Sequence, residues 1–151
     1  MRVLHSVLAA HYLAAFTALG MPLFMPRVLA QLAPHSPEWL AGVLYVLPTI
    51  CTALTAATWG RLADRYGRKL SLVRALLGLA FGFALAGLAP NLPVFILALM
   101  IQGGCGGSLA AANAYLSTQV QGPALARSLD WTQFSARLAM VTAPALLGLA
   151  T

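Results

Sequence analysis

The sequence predicts an all-α membrane protein of about five transmembrane helices, and three observations predict it. Of 151 residues, 60% are hydrophobic and only 8% are charged, whereas a soluble domain carries about 25% charged residues. The apolar residues gather in five runs, each near the roughly 20 residues that a helix needs to cross a bilayer. Proline, glycine and the charged residues punctuate the gaps between them. Inside a bilayer each backbone N–H must find its partner within the chain, so runs of this kind form helices.

Segment one spans 7–25, apolar from Val7 to Met25 and closed by Pro26-Arg27. Arg2 followed by an apolar run also has the outline of a cleavable signal peptide. The run is long for a signal core and four more follow, so a retained helix is expected. Segment two spans 39–59, with Trp39 and Trp59 at its ends, and segment three spans 70–89. Segment four spans 93–118. Segment five spans 131–151, from Trp131 to Thr151. Tryptophan favours the headgroup level, which agrees with these limits. Pro48 and Pro144 fall inside segments two and five, where each removes an internal hydrogen bond, at Leu44 and Met140. Gly78-x-x-x-Gly82 and Gly103-x-x-x-Gly107 permit close approach of neighbouring helices.

The net charge is +6 and the pI about 10.2, but a nucleic-acid module needs a basic face on a polar surface, and this chain has little polar surface. Four of the nine cations lie between Arg61 and Lys69. With Arg2 and Arg127 they mark one side of the membrane, against Arg27, His35 and Glu38 on the other. The positive-inside rule then places the amino terminus in the cytoplasm. Cys51 and Cys105 stand far apart without His or acidic neighbours, as buried small residues rather than a disulfide or metal site. The run Gly103-Gly104-Cys105-Gly106-Gly107 lacks the lysine and strand of a phosphate loop. No metal or other cofactor is expected.

The informative stretch is Gly60-Arg61-Leu62-Ala63-Asp64-Arg65-Tyr66-Gly67-Arg68-Lys69, between segments two and three. It reads as a tight reversal in which Gly60 and Gly67 permit unusual dihedrals and Asp64 pairs with neighbouring cations. It resembles the signature of the major facilitator superfamily, with Gly60, Asp64, Arg65, Gly67, Arg68 and Lys69 matching every position of the pattern and its place between helices two and three. The resemblance implies two six-helix bundles with a substrate cavity between them. It also implies that this stretch latches the bundles together during alternating access, Asp64 and Arg65 reaching a helix of the second bundle. On that reading the chain holds about the first five helices of a truncated amino-terminal bundle. Gln102-Gly103 fits part of a family pattern on helix four, in which Leu99 stands where a proton-coupling arginine belongs. Ala143-Pro144 and Gly148 are a weak form of an exporter pattern on helix five.

Polar groups in the membrane are costly and start as functional candidates. Arg137 is the sharpest: its planar fork suits an anionic substrate, and the alternatives are snorkelling or pairing with Asp130. His11 is a candidate for proton coupling, against a hydrogen-bonded packing role. Arg74 reads as a snorkelling anchor. Tyr45 and Thr49 on segment two, Asn113 and Tyr115 on segment four, and Gln133 on segment five are candidate substrate contacts, because helices one, two, four and five line the family's cavity.

The resemblance therefore implies a secondary transporter of a small organic solute, working by proton-coupled efflux of a drug or a metabolite such as a siderophore-like polycarboxylate. The expected partners are the lipid bilayer, the small-molecule substrate and the helices of a second bundle, in a bacterial inner membrane. The competing expectation is a non-transporting membrane anchor or interaction protein, or a non-functional fragment. A membrane enzyme lacks any nucleophile, metal or carboxylate-pair signature.

Overall fold

A computed structural model describes residues 2–148. Among them lie six helices and no strand: α1 (Arg2–Leu32), α2 (Trp39–Tyr66), α3 (Arg68–Gly87), α4 (Leu92–Gly104), α5 (Ser108–Gln119) and α6 (Pro123–Gly148). Four stretches are long and apolar enough to cross a membrane: Leu4–Met21 in α1, α2, α3, and Leu92–Gln119, which takes in α4 and α5. α6 has the length, at 26 residues, but among the described residues it does not reach the apolar content. The fold is all-α, as the apolar runs predict.

The boundaries differ from the sequence reading: α1 starts at Arg2 rather than residue 7, α3 is set two residues earlier than 70–89 at both ends, and four differences are larger or change the path of the chain. α1 does not stop at Pro26-Arg27 but continues to Leu32. Met25 and Leu29 are buried in a cluster with Leu44, Phe95 and Leu99, with Val28 and Leu32 packed against it, so burial carries the helix past a residue that lacks an N–H. α2 continues beyond Trp59 for two further turns, to Tyr66, and Arg65 in its last turn complements the helix dipole. Segment four is broken at Cys105–Gly107 into α4 and α5. α6 begins at Pro123, well before Trp131, and proline suits a first helical turn. The expected end of segment five at Thr151 lies outside the described residues.

α1 packs along α6, while α4 wedges between α2 and α3. Association of helices in lipid depends on close packing rather than on the hydrophobic effect, and small residues permit it. α6 buries Ser128, Thr132, Ser135, Ala139 and Ala143, recurring every three or four residues along one face. α4 is seated by glycine. A Cβ on Gly103 would run into the backbone of Pro48, one on Gly78 into Cys105, and one on Gly82 would lie 2.8 Å from the Cβ of Gln102. Both glycines of the first spaced pair and the first of the second therefore hold interhelical contacts. Gly107 has open space around it and a φ of 85°; it caps the start of α5 in the left-handed region, where glycine carries no penalty.

Two apolar clusters divide the bundle. One holds Met25, Leu44, Ala86, Phe95 and Leu99 at the α4 end. The other holds Val7, Leu72, Ala75, Ala112 and Leu116 at the α5 end. The helix break lies between them.

Candidate functional site

The stretch 60–69 is almost wholly helical. Gly60 through Tyr66 complete α2, Arg68 and Lys69 open α3, and the reversal is confined to Gly67, with φ 98° and ψ 143°. This corrects the expectation of unusual dihedrals at Gly60: it sits in a regular helix, and a Cβ there would meet nothing within 4 Å. Asp64 and Arg68 approach to 3.9 Å across the turn, with side chains 73% and 41% exposed. It is the one ion pair among the described residues, and at that exposure it contributes about 0–1 kcal/mol. Arg68 also donates from Nη1 to Ser117 Oγ at 2.8 Å and to the Ala114 carbonyl at 3.3 Å, tying the turn to α5. Arg65 lies over the ring of Tyr66, 5.4 Å from its centroid. Gly60, Asp64, Arg65, Gly67 and Lys69 are all exposed.

The break between α4 and α5 is held open by side chains from two other helices. The end of a helix leaves carbonyls without intrahelical partners. Here Thr52 Oγ1 donates to Gly103 O at 2.9 Å, Trp59 Nε1 to Gly104 O at 2.6 Å, and Arg74 Nη1 to Cys105 O at 3.2 Å. A cation at a helix carboxyl end is also favoured by the dipole. The Arg74 guanidinium stacks 3.5 Å from the centroid of the Trp59 ring. This overturns the reading of Arg74 as a snorkelling anchor and of Trp59 as only an interface marker. Their residue types carry the clue, since both are strong donors able to cap a helix end, but their partner is some 30 to 45 residues away.

A second feature brings together residues from α1, α2 and α4, three of the four helices that the family resemblance assigns to a cavity wall. Tyr45 and Thr49, one turn apart and exposed on α2, line a pocket of about 190 Å³ with Met21 and Met25 of α1 and Gln102 of α4. Gln102 is buried and its Oε1 has no hydrogen-bond partner among the described residues. Sequence reading placed Gln102 in a helix-four pattern but not at a substrate site. Leu99, in the arginine position of that pattern, is 1% exposed and part of the core.

The other candidates do not join this pocket. His11 is buried on α1, and neither ring nitrogen has a hydrogen-bond partner among the described residues. Its neighbour Tyr12 shares a 2.7 Å hydrogen bond with Thr142 of α6. Asn113 accepts a hydrogen bond from Thr132 Oγ1 at 2.8 Å, joining α5 to α6. Tyr115 packs against the second apolar cluster. Gln133 and Arg137 lie one turn apart and exposed on α6, and Arg137 forms no ion pair with Asp130.

The family model described as Major Facilitator Superfamily matches residues 6–151. The chain is 38% identical over 116 residues to a multidrug resistance protein MdtG of Dickeya zeae, covering 75% of this chain and 28% of that protein. It is 33% identical over 111 residues to the protein of the same name in Erwinia billingiae, covering 74% and 27%. It is 39% identical over 110 residues to that of Citrobacter koseri, covering 71% and 27%. The chain thus spans little more than a quarter of the length of these relatives. No solved structure matches it.

Proposed function

The chain belongs to the major facilitator superfamily, and from that premise we propose that it serves the export of small organic solutes, drugs among them, by proton-coupled alternating access. The observation that carries the reading is the complete signature at the α2–α3 reversal, its acid and cations exposed at one end of the bundle. Resemblance to relatives named for multidrug resistance supports efflux. We read the chain as part of a transporter rather than an enzyme, with Gly60, Asp64, Arg65, Gly67, Arg68 and Lys69 as the latch toward a second bundle. Arg61, Arg65, Arg68 and Lys69 put that end, and with it the amino terminus, in the cytoplasm.

The substrate wall would be the Tyr45–Thr49 pair with Gln102, an apolar pocket with a few polar groups of the kind that orients a small molecule. Gln133 and Arg137, exposed on α6 outside that pocket, and Asn113 on α5 would be separate contacts, Arg137 for anionic cargo. His11 is the group for proton coupling: a buried imidazole left without partners costs about 1–3 kcal/mol, and such a cost suits a site that exchanges protons.

The test is transport by the protein expressed from its complete reading frame, reconstituted in proteoliposomes. A proton gradient is expected to drive movement of a lipophilic dye or drug. Absence of movement for every solute tried, with and without the gradient, refutes the reading.

A further inference from the structure

Beside the signature lies a pocket of about 230 Å³ between α2, α3 and α5. Its lining carries two guanidinium side chains, Arg68 and Arg74, with Ser71 between them on α3, and no Asp or Glu. Asp64 reaches only Arg68, from outside the lining, at 3.9 Å. Arg74 has no acidic partner, and its Nε is buried without a hydrogen bond among the described residues. The start of α5 forms another wall through Gly106 and Gly107. No side chain caps that helix and no acid lies in its first turn, so its leading amides and dipole also favour an anion. The two cations share a single exposed carboxylate, on Arg68, and a half-buried Arg74 without one is costly unless a counter-charge is supplied.

A second pocket, of about 250 Å³, shares Trp59, Ala63, Ser71 and Arg74 with the first. It adds Leu62, Tyr66 and Leu70, and these three side chains are exposed. A basic pocket and an apolar one that meet at the same four residues fit a molecule with an anionic head and an apolar tail.

We propose that the Arg68–Ser71–Arg74 pocket binds a phosphoryl group, and that the adjoining apolar pocket selects an acidic phospholipid as its carrier. The planar fork of each arginine suits phosphate oxygens, which accept paired N–H bonds. Arg74 keeps its bond to Cys105 O through Nη1, leaving its other donors for the headgroup. A lipid bound there touches α2, α3 and the start of α5 at once, beside the helix break. The site is independent of the transported solute.

The test uses the protein expressed from its complete reading frame and purified in neutral detergent. It is titrated with phosphatidylglycerol, with phosphatidylcholine and with inorganic phosphate, reading lipid retained in native mass spectrometry and the shift in melting temperature. Phosphatidylglycerol is expected to bind more tightly than phosphatidylcholine by about five-fold or more, the scale of one basic contact to an anionic headgroup. Ser71→Asp, which sets a carboxylate between the two arginines, should abolish that preference, and Ser71→Asn, similar in size but neutral, should retain it. Arg74→Gln should behave as Ser71→Asp does; since it also removes a cap from α4, the Ser71 pair decides if that variant fails to fold. A melting shift with inorganic phosphate but no preference between the lipids would uphold the phosphoryl site and overturn the lipid as its carrier. Equal binding of both lipids with no response to phosphate overturns the proposal, as does a preference that survives Ser71→Asp.

Discussion

The guanidinium of Arg74 stacks on the indole of Trp59 at 3.5 Å from the ring centroid, and each side chain donates a hydrogen bond to a different carbonyl at the end of α4. The stack therefore joins α3 to α2 and both to α4. Trp59→Leu removes the cation–π contact and the bond to Gly104 together, and should cost about 2–3 kcal/mol. Trp59→Phe keeps a ring beneath Arg74 and should lose about 1 kcal/mol less. Melting temperatures of the complete protein in detergent check the order.

Glycine contacts separate packing from signalling between bundles. Gly103→Ala forces a methyl group into the backbone of Pro48, and overpacking of this kind costs about 1–3 kcal/mol. Gly60→Ala meets open space in a regular helix and should raise stability by up to about 1 kcal/mol through helix propensity. If Gly60 serves close approach of a second bundle, Gly60→Ala melts at or above the wild-type temperature yet transports more slowly. Melting and dye-efflux measurements on both variants check this.

The spans were legible in the sequence because a bilayer rewards apolar length itself, without regard to which face a residue takes. The helix break at Cys105–Gly107 was not. Five small residues at 103–107 permit it, but the donors that stabilise the opened end, Thr52, Trp59 and Arg74, come from α2 and α3. Pro26 misled for a related reason: the burial of Leu29 against Leu44 and Phe95 is a tertiary effect that outweighs a local stop signal. At the candidate site, Tyr45 and Thr49 could be named from the sequence, since polar groups in an apolar run are conspicuous. Their association with Gln102 required the fold. Tyr115 was named on the same ground and is a packing residue.

Asp64→Asn should leave folding almost intact, because its pair with Arg68 is exposed and worth about 0–1 kcal/mol. If the Asp64 carboxylate latches toward a second bundle, transport by the complete protein should fall several-fold. Surface expression measured beside efflux separates the two effects. Wild-type efflux by Asp64→Asn would reduce the stretch to a charged anchor.

Arg137 stands exposed on α6 without an ion pair among the described residues. Its removal therefore breaks no salt bridge, and Arg137→Ala should change stability by about 0.5 kcal/mol or less. Export of anionic solutes should weaken by roughly ten-fold, in line with a charge-assisted contact of about 1.5 kcal/mol, with neutral solutes little changed. Competition assays with a matched anionic and neutral pair check the selectivity.

The reversal at Gly67 leaves the two helices it joins no spare length: Tyr66 ends one and Arg68 begins the next. Each residue added to a helix turns everything beyond it by about 100°. One inserted codon taken up by either helix would swing Arg68 away from Ser117 and Arg74 away from Trp59, although every original residue remained. A point substitution in this stretch thus alters one contact, whereas a change in its length alters the register of a whole helix.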